Sequence, residues 1–318
     1  MAILVTGAAG LVGRAAVAAL LRQGVEHVRA VVRDPAQVGD LRRLGAKVAL
    51  LDATDPDGLA AAMDGVFTAC SLTGSLWSRP QEDPSAAVVD PAQVFLAAAK
   101  AAGVRRVVVC SPAAVATPGA AGNAHLTAKA EVERMVAASG LEHAILRCAH
   151  VLGPGGRLLG LLAAGAAGPG QSSGAPGREP VLVPGDGRQR VAPVWVGDVA
   201  DAIATADDAA ELSAVTWSLA GPTQLTFDEL VDAVHGDRVA KRHLGAGDGR
   251  DGAAGGPLAP PRGVWAGLRA VQVGVLAADS LGDPALPAPP GLVPASLAET
   301  LARSAGRERA GLPGRLDG

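Results

Sequence analysis

Three glycines spaced by three residues form a pattern that could bind phosphate. Gly7, Gly10 and Gly13 connect a short apolar strand, residues 2–5, to a predicted helix over residues 14–22. The first glycine can adopt the backbone angles of a tight turn, the second leaves room for a pyrophosphate, and the third lets the helix pack closely on the strand. The N–H groups and the positive dipole end of that helix would face the anion. The pattern therefore predicts the first βα turn of a dinucleotide-binding unit.

Ser111, His125 and Lys129 are a second group of side chains that could do chemistry. Ser111 follows an apolar, β-branched run, residues 104–110, which is typical of a parallel strand buried on both faces. Ligands bind at this end of the strands in doubly wound sheets. His125 and Lys129 have the i, i+4 spacing that places two side chains on one face of a helix. An imidazole can donate a proton near neutral pH, although a neighbouring ammonium would lower its pKa.

The segments around these residues follow a known order. With Thr6, the turn reads Thr-Gly-x-x-Gly-x-x-Gly, and this spacing resembles the extended and atypical short-chain dehydrogenase/reductases. Further segments look like the NmrA-like branch and the related complex I 39 kDa subunit-like proteins, and these are residues 28–35, 51–55, 141–147, 184–191 and 194–200. Together the matching segments cover roughly residues 1 to 235. The resemblance implies an α/β fold of the Rossmann type, a doubly wound parallel sheet with a smaller C-terminal lobe on the substrate side.

The resemblance also implies roles for the second group. In catalytic members of the family, a serine after this strand polarises the substrate carbonyl, and a Tyr-x-x-x-Lys pair completes the site. Here Ser111 and Lys129 match, but His125 replaces the tyrosine, and the chain contains no tyrosine. His125 could act as the general acid, it could only hydrogen-bond substrate or cofactor, or the protein could bind the cofactor without turnover, as the NmrA-like sensors do. His150 is a second candidate proton donor, with an ordinary polar loop residue as the alternative.

The end of the second predicted strand, residues 28–32, bears on the choice of cofactor. NAD-preferring enzymes commonly place a carboxylate there for the ribose hydroxyls. This chain has Val32 followed by Arg33, whose guanidinium could pair with the 2′-phosphate of NADP. We therefore expect NADP(H), with NAD as the alternative. By resemblance, the cofactor-binding residues are Thr6, Gly7, Gly10, Leu11, Val12, Gly13, Arg33, Asp52, Ala53, Ser71, Leu72, Thr73, Lys129 and Cys148.

Two of these positions carry alternatives or departures. Asp52 follows the third predicted strand, residues 46–51, where the family contacts adenine, and a turn or helix-capping aspartate is the alternative. Cys148 stands where the family has a proline in the loop over the nicotinamide, so the geometry of that loop could differ here.

Composition excludes several other classes of protein. The 318 residues carry a net charge of -3 with a pI near 6.1, and the basic residues are scattered, so nucleic acid is not an expected ligand. The cysteines, Cys70, Cys110 and Cys148, lack metal-ligand spacing and predict buried thiols in a reducing cytoplasm. The longest apolar run, residues 158–167, is shorter than the roughly 20 residues that span a bilayer. We expect a cytoplasmic protein with a small-molecule substrate, and a protein partner as a further option.

We expect three regions along the chain. Residues 1–155 form the NAD(P)-binding core, residues 156–243 form a smaller lobe interleaved with it, and residues 244–318 contain a Gly/Pro-rich linker, one docking helix over 264–281 and a disordered tail. Within the lobe, the Gly/Ser/Pro stretch at residues 165–177 predicts a mobile lid or a slack insertion.

Local patterns give further expectations. A helix is predicted from Asp198, with that carboxylate as its N-cap. Thr226 and Glu229 match a capping box. Glu131 and Glu133, on the helix that carries Lys129, are interpreted as solvent-exposed charges.

The favoured functional hypothesis is an NADPH-preferring oxidoreductase that acts on a small carbonyl, imine or enone. In this hypothesis Ser111 polarises the acceptor, and His125 or a water molecule supplies the proton. The alternatives are a non-catalytic NAD(P)-sensing regulator and an assembly subunit.

Overall fold

The computed structural model describes residues 1–77, 83–164, 180–245 and 268–309. Its strands are β1 (Ala2–Thr6), β2 (His27–Val32), β3 (Lys47–Leu50), β4 (Val66–Ser71), β5 (Arg106–Pro112), β6 (Glu142–Cys148), β7 (Val151–Leu152), β8 (Val181–Pro184), β9 (Arg190–Val191), β10 (Val194–Trp195), β11 (Val215–Leu219), β12 (Leu225–Thr226) and β13 (Lys241–Leu244). Its α-helices are α1 (Leu11–Arg22), α2 (Val38–Leu44), α3 (Pro56–Ala62), α4 (Pro84–Ala101), α5 (Ala124–Ala137), α6 (Arg157–Ala164), α7 (Val196–Asp208), α8 (Phe227–His235), α9 (Ala270–Leu276) and α10 (Leu297–Arg309). Among these helices, none has both the length and the apolar character that a membrane crossing requires.

Seven parallel strands within the described residues form one central sheet, in the order β11-β6-β5-β4-β1-β2-β3. The chain winds outward from β1 through β2 and β3, then returns to the other side of β1 at β4. The strand order therefore reverses between β1 and β4, and doubly wound sheets bind ligands at the C-terminal ends of the strands beside such a reversal. The predicted Rossmann-type doubly wound fold is confirmed.

Helices cover both faces of the sheet because its strands are apolar on both sides. On one face, α1 and α7 bury Val17, Leu20, Val199 and Ile203 against the sheet. On the other face, α3, α4 and α5 contribute a second cluster that includes Phe95. Because all strands of this sheet run parallel, their C-terminal ends lie at one edge.

The lobe beside this edge is built from β8, β13, α6 and α8, together with residues near the C-terminal end of the described chain. Phe227 of α8 is fully buried in a cluster with Leu276 of α9 and Leu297 of α10. Ser280 pairs with Val191, and the Ser280 N–H donates to the Arg190 carbonyl at 2.8 Å. The described residues from 268 onward therefore pack on the lobe rather than apart from it.

Several local features differ from the sequence-based expectations. The helix expected over 264–281 is α9, which is shorter, and α10 runs to Arg309. Residues 264–267, the Gly/Ser/Pro stretch at 165–177 and residues 310–318 lie outside the described residues.

The expectation that Asp198 caps α7 is wrong. The helix begins at Val196, so Asp198 lies inside its first turn and is buried. Its carboxylate accepts a hydrogen bond from the Ala295 N–H at 2.9 Å, which ties the segment before α10 to α7. The capping box at the start of α8 is confirmed, because the Thr226 N–H donates to Glu229 at 2.7 Å and the Glu229 N–H donates to Thr226 at 3.2 Å.

Candidate functional site

The turn between β1 and α1 leaves the start of the helix open. Gly10 is the N-cap residue, and no side chain in the described part of the chain caps the helix. The Gly10 N–H donates to the Gly7 carbonyl at 3.0 Å, which closes the turn. A helix start without a capping side chain directs its first N–H groups and its positive dipole end outward, and this arrangement suits a phosphate.

Each of the three glycines in this turn is required for a different steric reason. Gly7 has a φ of +65°, and a Cβ there would lie 2.5 Å from the Leu72 carbonyl oxygen. A Cβ on Gly13 would lie 2.2 Å from the Gly7 carbonyl oxygen, because α1 packs directly on the turn. A Cβ on Gly10 would meet only the Gly7 oxygen, at 3.3 Å, and would otherwise fill the space in front of the helix. The cradle therefore fits the diphosphate of a dinucleotide.

The predicted adenosine side lies at the ends of β2 and β3. Arg33 is exposed directly after β2. The neighbouring Asp34 carboxylate accepts a hydrogen bond from the Ala36 N–H at 2.9 Å, so it caps its own turn. Asp52 accepts from the Thr54 N–H at 3.0 Å and from the Thr54 hydroxyl at 2.8 Å, which is the geometry of a turn aspartate.

The end of β4 connects the glycine turn to Lys129. The Ser71 and Thr73 hydroxyl oxygens lie 3.2 Å apart, and the Lys129 ammonium donates to the Thr73 carbonyl at 3.2 Å. A Cβ on Gly74 would lie 3.3 Å from the Lys129 Nζ, so the glycine permits this close approach. Lys129, which is only 9% exposed, thus reaches across from α5 to the strand beside the glycine turn.

Ser111 and His125 are both buried near this edge. Ser111 belongs to β5 itself, is 4% exposed, and its hydroxyl has no hydrogen-bond partner among the described residues. His125 is also 4% exposed and lies in the first turn of α5. Asn123 caps that helix, since its side-chain oxygen accepts from the His125 N–H at 3.0 Å and the Leu126 N–H at 3.2 Å. The cap fixes the position of the histidine at the helix start.

Both candidate histidines are held in the neutral form. Burial, together with the nearby charges of Lys129 and Arg269, lowers the pKa of His125 to about 3, and burial is the largest of these causes. Burial alone lowers the pKa of His150 to about 4, and its ring packs edge-on against Phe227 at 6.0 Å. At neutral pH both imidazoles are therefore uncharged and lack the second proton that a general acid would donate, although each can still donate or accept a hydrogen bond.

Lys129 and Glu133 differ in how far the sequence predicted their surroundings. Burial lowers the pKa of Lys129, while Cys110, Glu133 and Cys148 oppose this shift. The expectation that Glu133 is solvent-exposed is wrong: its carboxylate is 8% exposed and pairs with Arg147 at 2.7 Å. Sequence inspection missed this ion pair because Arg147 lies on β6, 14 residues away. The available sequence signal was the i, i+4 spacing of Lys129 and Glu133, which places Glu133 on the same face of the helix as Lys129.

Sequence reasoning also missed the residues of α9 that face the site. Arg269 lies close enough to His125 to lower the pKa of that histidine. The Gln272 side chain donates to the Leu76 carbonyl at 2.9 Å, and the Asn123 side chain donates to the Val271 carbonyl at 2.9 Å. Nothing in the local pattern of an amphipathic segment indicates these distant partners.

Comparison with known proteins agrees with the geometry. A family described as NAD(P)H-binding matches residues 7–172. A relative from Streptomyces sp, a 3-diazoavenalumate denitrifying reductase, is 31% identical over 182 residues, and this match spans 49% of this chain and 58% of the relative's length.

Solved structures share the fold over almost the whole chain. The NADPH-dependent quinone oxidoreductase QOR2 from Escherichia coli, complexed with NADPH, has a TM-score of 0.68 at 24% identity and covers 94% of this chain and 98% of its own. The triphenylmethane reductase of Citrobacter sp., complexed with NADP(H), has a TM-score of 0.69 at 20% identity and covers 96% of this chain and 100% of its own. At these identities the similarity shows the fold that this chain shares with them.

Proposed function

The chain belongs to the NAD(P)H-binding family, and on that premise we propose that it is a reductase that transfers a hydride from NADPH to a small, electron-poor organic acceptor. The observation that supports this most strongly is the position of Lys129. Its ammonium lies 3.2 Å from the Thr73 carbonyl, at the same sheet edge as the glycine turn. An ammonium at this point can bind the ribose hydroxyls of the cofactor and stabilise negative charge on a reduced acceptor.

The cofactor site uses the glycine turn, the end of β4 and Lys129. Bound there, NAD(P)H supplies the hydride. The main-chain N–H groups of the first turn of α1 bind the diphosphate, and Leu72 and Thr73 border its path along the edge. The residues proposed for these contacts are the ones predicted from the sequence, which are Thr6, Gly7, Gly10, Leu11, Val12, Gly13, Arg33, Asp52, Ala53, Ser71, Leu72, Thr73, Lys129 and Cys148.

The preference for NADPH rests on Arg33. Its guanidinium is exposed at the end of β2, next to the predicted position of the adenosine ribose. The carboxylate of Asp34, the next residue in the sequence, accepts from the Ala36 N–H of its own turn. A 2′-phosphate would therefore meet a cation there, and we propose NADPH as the physiological cofactor in a cytoplasmic protein.

The neutral histidines favour certain acceptors. The chain has no tyrosine, and the low pKa values of His125 and His150, about 3 and about 4, leave both imidazoles unprotonated at neutral pH. The Lys129 ammonium or water then supplies any proton, and Ser111 hydrogen-bonds the acceptor. Activated carbonyls, imines and enones fit this arrangement, as do quinones, dye cations and diazo acids, for which the reduction does not depend on a strong acid in the protein.

The experiment is a turnover assay with purified protein. We expect loss of NADPH absorbance with at least one acceptor from a panel of quinones, enones, imines, triarylmethane dyes and aryl diazo acids. Lys129→Met should lower the rate by about a hundredfold. The control is Lys100→Met, an exposed lysine at the end of α4, which should keep the full rate. Binding of NADPH without oxidation by any acceptor would contradict the reductase and favour the alternative, a non-catalytic NAD(P)-sensing regulator or assembly subunit.

A further inference from the structure

Helix α5 places a carboxylate one turn after the lysine of the site. Lys129 and Glu133 have i, i+4 spacing, so both side chains lie on one face of the helix. Glu133 is 8% exposed, and a carboxylate is almost never buried to this extent unless it is paired. Glu131, only two positions earlier, instead points to the surface and pairs with Arg134.

Arg147 holds the Glu133 carboxylate in place. Its Nε lies 3.2 Å from both carboxylate oxygens, and its Nη2 donates to one of them at 2.7 Å. Such a two-point contact restricts the rotation of a carboxylate more than a single bond does. Arg147 is paired in register with Ser111 on the neighbouring strand, so the ion pair lies directly beside the substrate side of the sheet edge.

Glu133 is the carboxylate whose charge opposes the lowering of the Lys129 pKa by burial. The titratable groups that act on Lys129 are Cys110 from β5, Glu133 from α5 and Cys148 from β6, and His125 lies one turn earlier on α5. A hydrogen bond with Cys110 and burial raise the pKa of Cys148 well above its ordinary value, so that thiol stays uncharged. His125 is neutral as well. Among these groups in the described part of the chain, Glu133 is the carboxylate that acts on Lys129.

We propose that Glu133, oriented by Arg147, is a positioning residue that keeps Lys129 protonated and its ammonium directed at the cofactor edge. The ammonium loses hydration on burial, and an opposite charge within reach offsets that cost. What the charged ammonium then does for cofactor and acceptor rests on the proposed function. The charge state itself does not, and it can be measured without a cofactor.

The test is a direct titration of Lys129 by nuclear magnetic resonance. Protein labelled with ¹⁵N at the lysine side chains gives few signals, because the lysines of the chain are Lys47, Lys100, Lys129 and Lys241. The Lys129 signal is assigned by its loss in Lys129→Arg. We expect Glu133→Gln to lower the Lys129 titration midpoint by about one pH unit or more. The matched control, Glu131→Gln, should leave the midpoint unchanged.

A second variant keeps the proposal testable if Glu133→Gln does not fold. Removing both partners in Glu133→Gln/Arg147→Gln avoids leaving a lone buried charge, and the midpoint should fall as in the single variant. An unchanged Lys129 midpoint in either folded variant would overturn the positioning role. If the midpoint shifts as expected while the wild-type protein fails to bind NADPH, the positioning role stands and the proposed function fails.

Discussion

At the scale of single residues, the site is defined by burial as much as by residue type. His125 stands at the position of the family's tyrosine, but its ring is 4% exposed and near two cations. Those surroundings convert a residue that ordinarily titrates near neutral pH into one that is neutral there. Burial also lowers the pKa of Lys129, but the charge of Glu133 opposes this shift.

The neutral histidines predict an acid-sensitive fold. In the unfolded chain a histidine titrates near about 6.5, whereas in the folded protein the pKa of His125 is about 3. Between these values the unfolded state binds the extra proton, so the free energy of unfolding decreases as the pH falls through this window. His125 alone contributes a slope of about 1.4 kcal/mol per pH unit, fully developed below about pH 6.

Urea unfolding measured between about pH 6.5 and pH 5 checks this slope. His125→Gln removes the titrating group, and its stability should depend less steeply on pH than that of the wild type. The control is His27→Gln, whose imidazole is exposed at the start of β2, and it should retain the wild-type slope. Equal slopes in wild type and His125→Gln would show that His125 is protonated in the folded state.

The sequence supplied candidate site residues but not their environments. Ser111, His125 and Lys129 were recognisable from spacing and from the resemblance, and the ammonium was expected to lower the pKa of the histidine. The larger cause is burial, which depends on tertiary packing and has no local signature; α9, for example, packs at the start of α5, where the Asn123 side chain donates to the Val271 carbonyl 148 positions away. For the same reason the pairing of Glu133 with Arg147 could not be seen in the helix pattern alone.

At the scale of elements, the turn between β1 and α1 is the part that the sequence specified most completely. Its three glycines have the φ value and the close contacts that the pattern implies. Other boundaries were less determined. Helix α4 begins at Pro84 and continues through Pro91, although a proline inside a helix normally ends or kinks it. Asp198 was assigned to a cap because it precedes an apolar run, but the segment before α10 uses its carboxylate.

Gly13→Ala tests the packing of α1 on the turn. The new Cβ would lie 2.2 Å from the Gly7 carbonyl oxygen, so the turn must move. We expect a loss of about 1–3 kcal/mol in the free energy of unfolding by urea denaturation, together with weaker cofactor binding. Gly39→Ala, in α2, has no neighbour within 4 Å of its Cβ and should be neutral or slightly stabilising. A Gly13→Ala variant as stable as Gly39→Ala would contradict the close packing.

At the scale of the whole molecule, the parallel sheet brings the ends of β1, β4, β5 and β6 to one edge, and the C-terminal elements close over it. Gln272 of α9 binds the backbone at Leu76, and Ala295 binds Asp198 of α7. The sheet could be predicted because alternating strands and helices of standard length have few ways to pack. The sequence predicted a docking helix in the C-terminal region, but not where it docks, because the contacts that fix its place join residues that are distant in sequence.

Calorimetric titration of the full chain with NADPH and NADH tests most directly whether the glycine turn and the uncapped start of α1 hold a dinucleotide. We predict saturable one-to-one binding, tighter for NADPH, with Arg33→Ala losing about tenfold in affinity for NADPH and little for NADH. Equal affinities in the wild type would contradict the role of Arg33. A folded protein that gives no binding heat with NADPH or NADH, and that leaves both cofactors free in solution, would contradict the dinucleotide site itself.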